Sequence, residues 1–314
     1  VLPFAPVETG PEDIAFLQYT GGTTGVSKAA VLRHKNILAN VEQISAWMIP
    51  LIEDRKEVVV TPLPLYHIFA LTVNCFAFFN KGAKNILITD PRNIPEFVKE
   101  LKRRKFTAMT GVNTLFNALA NNPDFKAAKF SSMKIVVAGG MAVQKAVAEL
   151  WFRVTGVPLC EGYGLTETSP VLTCNPIDGT ERIGTIGVPL PSTEIMIADD
   201  AGSEVETGKP GEILAKGPQV MDSYWNKPEE TRLVLKDGWL KTGDIGFIDD
   251  DGFVTIVDRK KDMIIISGFN VYPNEIEQVS VMHPKVLEAG AAGSVDDNGN
   301  EFVSLYIVKR DQSL

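Results

Sequence analysis

Between residues 56 and 165 short apolar runs alternate with stretches whose apolar residues recur every three or four positions, and this alternation constrains the fold most. The runs are Glu57–Thr61, Asn85–Thr89, Phe106–Thr110, Met133–Ala138 and Val157–Cys160. Between them lie Ile94–Lys105, Asn113–Asn121 and Val143–Thr155, and in the first of these Ile94, Phe97, Val98 and Leu101 share one helical face. Such βαβ units pair in parallel with helices packed on the sheet. The expected class is α/β, with mostly parallel sheets and flanking helices.

The pattern changes after about residue 175. Ile186–Ala198, Gly211–Lys216 and Asp244–Val257 read as strands separated by Gly, Pro and Asp turns such as Asp249-Asp250-Asp251-Gly252. They suggest a β-rich, barrel-like subdomain over 176–258, attached to an α/β part over 1–175. The charged stretch Asp258-Arg259-Lys260-Lys261-Asp262 leads into a new α+β pattern, with a helix from near Asn274 and a strand Phe302–Lys309. A small C-terminal domain is therefore expected over 262–314, with a hinge near 259–261. The ends, Val-Leu-Pro-Phe-Ala-Pro and Lys-Arg-Asp-Gln-Ser-Leu, look cut, so an incomplete chain is expected.

The chain has 314 residues and a net charge of −8, which argues against a nucleic-acid partner, since such proteins carry basic surfaces. Any anionic ligand must be met by local cations and backbone amides. Cys75, Cys160 and Cys174 are scattered and never in Cys-x-x-Cys spacing, and the three histidines lack metal-ligand spacing. Reduced, buried thiols in a cytoplasmic protein are expected, without a zinc site. No run approaches the ~18 apolar residues of a membrane span, and Phe76-Ala77-Phe78-Phe79 reads as core.

The most informative string is Tyr19-Thr20-Gly21-Gly22-Thr23-Thr24-Gly25-Val26-Ser27-Lys28. A strand-like run, Ile14–Tyr19, enters a loop whose glycines let backbone amides approach a polyanion, whose hydroxyls add donors and whose lysine adds charge. It is not a Walker loop: Gly-Lys-Ser/Thr is absent, and Ala29–Leu32 continues as strand. Ala138-Gly139-Gly140-Met141 ends an apolar run, where glycines permit close approach of a flat ligand. In Glu161-Gly162-Tyr163-Gly164-Leu165-Thr166-Glu167, Tyr163 can stack on a base, Thr166 can donate to a phosphate and Glu167 can hold Mg2+. In Gly238-Trp-Leu-Lys-Thr-Gly-Asp244, one carboxylate can accept from two hydroxyls at once. Taken singly, each string also fits a plain turn, a surface loop or a packed histidine; their joint occurrence in this order is what is specific.

Together these strings resemble the adenylate-forming superfamily of acyl-CoA synthetases, luciferases and peptide-synthetase adenylation domains. The resemblance implies a phosphate loop at Thr20, Gly21, Gly22, Thr23, Thr24, Gly25 and Lys28. It places adenine against Gly139, Gly140, Met141, Glu161, Gly162, Tyr163 and Gly164, ribose at Asp244 and Arg259, and the pantetheine path of CoA near Gly268. Lys28, Thr166 and Glu167 take catalytic roles, Glu167 as the Mg2+ ligand and Lys261 as the hinge. His67, within Pro64–Leu71, borders the carboxylate end of the acyl pocket.

Over essentially the whole chain the closest resemblance is to bacterial long-chain fatty acid–CoA ligases. Asp237 and Lys241 depart from the Asn and His common at those positions, and Leu71 stands where some relatives carry a Trp gate. The expected reaction activates a fatty acid with ATP to an acyl-AMP and then forms a thioester with CoA. Leu71, Gly111, Val112 and Leu115 are expected in the acyl wall, where each buried CH2 adds ~0.8 kcal/mol. No obvious carboxylate stands ready for an amino acid's ammonium group. Other adenylating ligases, or a non-catalytic nucleotide-binding relative, remain as alternatives. The lysine such enzymes use near their C-terminus lies beyond this chain, so poor activity of the fragment alone is expected. Oligomeric state and association with the inner membrane surface are not legible.

Overall fold

The apolar runs assemble into one sheet. In a computed structural model, which describes residues 7–20, 27–266, 269–296 and 301–309, seven strands lie side by side. Their order is Lys84–Leu87, Val58–Thr61, Ala108–Gly111, Ile135–Ala138, Leu159–Gly164, Val171–Cys174 and Val188–Pro189. The first five pair in parallel and the last two antiparallel. Numbered along the chain, the parallel strands stand in the order 2-1-3-4-5. Ligand crevices in such sheets lie beyond the carboxyl ends of the strands.

The order reverses between Val58–Thr61 and Ala108–Gly111, and there Ala70–Ala77 forms a π-helix, a form frequent at functional sites. Its buried Asn74 donates to Thr61 Oγ1 at 2.9 Å and Thr110 Oγ1 at 3.0 Å, so a polar side chain is satisfied inside the core. The expected helices form at Ile94–Arg103, Asn113–Asn121 and Lys145–Thr155. The first begins where Asn93 accepts from Glu96 N–H, with Pro95 in the first turn and Lys102 and Arg103 in the last.

Successive residues of one strand serve opposite faces of the sheet. Ile135 packs with Ile44, Met48, Ile68, Phe69 and Val73, and Val137 rests against the same group. Val136 and Ala138 face the other way, onto Leu115, Phe116, Leu119 and Trp151. This second face is dense with rings: Phe116 meets Trp151 edge-on at 4.9 Å, and Phe125 lies 5.3 Å from the same indole. Each large side chain buried there contributes roughly 1.5–3 kcal/mol. The first face is covered by the helix His34–Met48, which buries Ile37, Val41, Ile44 and Met48.

The later part is antiparallel, as its alternation implies. Glu194–Ala198, Gly211–Lys216, Trp239–Ile248, Leu235–Lys236 and Val254–Arg259 form a second sheet, with register shifts at Glu212/Leu214 and Ile245/Gly246. The run expected as one strand over Ile186–Ala198 is divided between the two sheets, and Ser192 at φ 59° turns the chain between them. Ser223–Tyr224 returns to pair with Ala29–Arg33, which also pairs with Ile14–Tyr19. The last described elements are the hairpin Ile264–Ile266/Phe269–Val271, the helix Pro273–Val281 and the ribbon Val286–Val295/Glu301–Lys309. The expected core patch is corrected at one residue. Phe78 is buried but Phe79 is 75% exposed, because adjacent positions of a helical turn cannot face the same way. Cys160 and Cys174 are buried free thiols and Cys75 is partly buried. Among the described residues no helix is long and apolar enough to cross a membrane.

Candidate active site

A cavity of about 1010 Å3 lies beyond the carboxyl ends of the parallel strands and joins a polar end to an apolar end. The strand pair Ile14–Tyr19/Ala29–Arg33 brings Thr20 and Lys28 to its wall, and Thr20 N–H donates to the Lys28 carbonyl at 2.8 Å. The residues expected between them, Gly21, Gly22, Thr23, Thr24 and Gly25, lie outside the described residues, as does Gly268. Lys28 Nζ sits 2.5 Å from Glu230 Oε2 and 5.2 Å from the centre of the Tyr224 ring. The ammonium holds the Glu230 carboxyl below its usual range.

Opposite, a tight turn over Thr166–Thr168 presents Thr166 and Glu167. Glu167 Oε1 accepts from Tyr224 Oη at 2.6 Å, and the Glu167 carbonyl accepts from Met221 N–H at 2.8 Å. Gly164, just before this turn, admits no side chain: a Cβ would stand 1.8 Å from the Pro170 carbonyl oxygen. Tyr163 donates to Asp244 Oδ2 at 2.6 Å, and Arg259 Nε lies 3.7 Å from Asp244 Oδ1. Burial raises the Asp244 carboxyl, opposed by the Tyr163 hydrogen bond and the Arg259 charge. Burial and the neighbouring carboxylate push the Tyr163 phenol far above its usual range, so it stays a donor. Thr242, Lys260 and Lys261 complete this rim, with Lys260 Nζ paired to Asp200 and Glu212.

The donor set suits a metal that arrives with its ligand. Mg2+ is usually held by one or two carboxylates together with substrate phosphates. Glu167 offers one such carboxylate, and no cluster of three or more His, Cys, Asp or Glu is poised for a metal among the described residues.

The apolar end is built on the face of the sheet that carries Ile135 and Val137. Ile44, Trp47 and Met48 of the helix His34–Met48 form one wall, Phe69 and Val73 another, and Ile177 and Leu190 lie beyond. Trp47 Nε1 donates to the Asn175 carbonyl at 3.0 Å, which fixes the indole. His67 stands at this wall too; burial lowers its pKa, so the imidazole is neutral, and Nδ1 accepts from Phe69 N–H at 3.3 Å.

Of the residues expected from sequence, Thr20, Lys28, His67, Gly139, Gly140, Gly162, Tyr163, Gly164, Thr166, Glu167, Asp244, Arg259 and Lys261 all reach this cavity. Met141 is exposed and not on the wall. Glu161 lies behind it, buried, accepting from Val143 N–H at 3.0 Å, and burial pushes its carboxyl up to about 8. Leu71 lines a separate shallow groove with Phe16, Leu65 and Tyr66. Gly111, Val112 and Leu115 pack on the opposite face of the sheet, where a Cβ at Gly111 would meet the Phe116 ring at 2.8 Å. Trp47, Val137, Tyr224 and Glu230 reach the cavity without having been singled out in the sequence. For Glu230 only the start of a helix was legible, Pro228 followed by two acidic residues; its partner Lys28 lies 202 positions away.

Comparison with known proteins agrees with this geometry. Residues 2–225 match the model of a family described as AMP-binding enzyme. A long-chain-fatty-acid–CoA ligase of Yersinia pestis is 58% identical over 302 residues, 96% of this chain and 54% of that protein. The enzyme of the same name from Escherichia coli is 55% identical over 313 residues, covering all of this chain and 56% of the relative. The chain thus spans about half the length of the curated relatives it matches. An ATP-bound structure of MatB from Rhodopseudomonas palustris superimposes with a TM-score of 0.90 at 33% identity, over 99% of this chain and 61% of that one. On the strength of that family match and those relatives, the chain belongs to the AMP-binding enzymes.

Proposed function

We propose that the protein of which this chain is part is a long-chain fatty acid–CoA ligase that works through an acyl-adenylate. The observation that supports this best is the single cavity that joins the Lys28–Glu167–Asp244 end to the Ile44–Trp47–Val137 end. The carboxylates on the cavity wall, Glu167, Glu230 and Asp244, all stand at the polar end. Among the described residues, the apolar end therefore has no carboxylate to hold an ammonium group and suits an unfunctionalised acyl chain, bound by the sum of many CH2 contacts.

In this reading ATP lies across the polar end. Asp244, already accepting from Tyr163, takes the ribose hydroxyls with Arg259 beside it, and Gly139, Gly140 and Gly162–Gly164 give the adenine a flat wall. Lys28 and Thr166 stabilise charge on the phosphates. Mg2+, when bound with the nucleotide at Glu167, supplies neutralising charge to the phosphate oxygens. The fatty carboxylate, next to neutral His67, attacks the α-phosphorus; the P–O bond to pyrophosphate breaks and acyl-AMP forms. The CoA thiolate then attacks the acyl carbon, the acyl C–O bond to the phosphate breaks, and AMP leaves. No covalent enzyme intermediate is needed; orientation and charge stabilisation do the work. A large part through residue 258 and a small part from 262, turning about Lys261, would let the two half-reactions use one site in sequence. The fatty acid and CoA are its substrates, and its place in this reading is the cytoplasm, with peripheral association at the inner membrane surface.

The test is pyrophosphate release by the full-length protein with ATP, Mg2+ and acids of increasing chain length, with amino acids as controls. Long-chain acids should drive release, CoA should convert the product to thioester, and Asp244→Ala should lower the rate ~10- to 100-fold, as loss of a charged hydrogen-bonding partner does. Release with amino acids alone would overturn the substrate class.

A further inference from the structure

We infer that Tyr224 is a positioning residue that aims the Glu167 carboxylate at a divalent cation carried by the nucleotide and seats the Lys28 ammonium on its ring face. The inference rests on the adenylation reading and extends it to a residue outside the phosphate loop and the Thr166–Glu167 turn. Tyr224 is 7% exposed, on the short strand Ser223–Tyr224 that pairs with Ala29–Arg33. Its own N–H donates to Thr231 Oγ1 at 2.9 Å, which ties that strand to the helix Pro228–Val234. Its hydroxyl donates to Glu167 Oε1 at 2.6 Å, at the short end of O–H···O distances.

This bond has a directional consequence. A glutamate at a cavity wall has three rotatable bonds, and without a partner it samples several orientations. With Oε1 held by Tyr224, Oε2 is the atom left to accept from the cavity. The backbone is held as well, because Met221 N–H donates to the Glu167 carbonyl three residues before Tyr224. One segment, Met221–Tyr224, therefore fixes Glu167 at both carbonyl and carboxylate. The same ring lies 5.2 Å from Lys28 Nζ, within cation–π range. The site's anion and its phosphate-loop cation are thus set relative to one another by a single buried aromatic.

The two halves of the role separate by substitution. Tyr224→Phe keeps the ring and deletes the donor; Tyr224→Leu deletes both. The readout is ATP binding by the full-length protein, measured by calorimetry with Mg2+ and with chelator. In the unaltered protein Mg2+ should tighten ATP binding. In Y224F about tenfold of that gain should be lost, the usual scale for removing a partner that orients a metal ligand. Its metal-free ATP binding should fall by less than the Mg2+ gain does, a metal-specific loss that a merely structural role would not give. In Y224L metal-free binding should also weaken ~2–5-fold, the scale of a lost cation–π contact. A Y224F protein that keeps the full Mg2+ gain overturns the inference while leaving the adenylation reading standing. Failure of the unaltered protein to bind ATP overturns both.

Discussion

The two faces of the parallel sheet are made of the same kinds of residue and behave differently. Along Ile135-Val136-Val137-Ala138 the even positions meet Leu115, Phe116 and Trp151 in a solid core, and the odd positions meet Ile44, Trp47, Met48 and Val73 around a cavity of about 1010 Å3. On the solid face, rings fill the space: Phe97, Phe116, Phe125 and Trp151 are each at most 2% exposed. On the hollow face the π-helix Ala70–Ala77 and the helix His34–Met48 stand off the strands and leave room. Apolar content alone therefore does not locate a cavity; what matters is which face keeps its space unfilled.

The largest expected effect lies on the solid face. Phe116→Ala removes a fully buried ring packed against Trp151 and Gly111, and should lower stability by about 3–5 kcal/mol with ATP affinity unchanged. The denaturant midpoint reads it; a loss below ~1 kcal/mol would mean that this face is not the solid one.

The next effect concerns Glu161, buried behind the polar end. Its folded carboxyl is pushed up from 4.5 to about 8 by burial, against the weaker opposing hydrogen bond from Val143 N–H. The folded form therefore holds a proton that the unfolded chain releases, and stability falls as pH rises through that window and levels above it. Across the window each pH step of one costs ~1.4 kcal/mol, so the loss amounts to a few kcal/mol. Glu161→Gln, which can still accept from Val143, should flatten the profile and make the protein more stable than the parent at pH 8. A wild-type slope in the variant would exclude Glu161 as its source.

Much of the framework was legible because its signals are local. The five parallel strands and three helices between residues 56 and 165 follow from periodicity within each segment, and Gly211–Lys216 emerged with the expected bounds. The motif residues at the polar end were legible for a related reason: each string is contiguous and lies in a strand or just beyond one, as Tyr163 does in Leu159–Gly164, Asp244 in Trp239–Ile248 and Gly139 just past Ile135–Ala138. The hollow face was not legible. Ile-Val-Val-Ala is apolar at every position, so no alternation marks which pair faces a cavity, and Gly111, Val112 and Leu115 read as an equally good wall. The partners of the charged groups were hidden by distance, with 57 positions between Glu167 and Tyr224 and 202 between Lys28 and Glu230. The exposure of Phe79 was hidden because Phe76-Ala77-Phe78-Phe79 is apolar at every position, so nothing in the string marks the residue that turns outward.

The smallest effect in free energy is the one that decides where the acyl chain lies. Val137→Phe narrows the hollow face and Leu115→Ala loosens the solid one, and the measurement is the chain-length profile of kcat/KM in the full-length protein. Each CH2 denied its contacts costs ~0.8 kcal/mol, about fourfold in affinity. With the chain on the hollow face, Val137→Phe shifts preference to shorter acids, the longest losing ~10-fold or more, while Leu115→Ala lowers stability and leaves the profile in place. An unchanged profile in Val137→Phe together with a shifted one in Leu115→Ala would put the acyl chain on the other face of the sheet and contradict this placement.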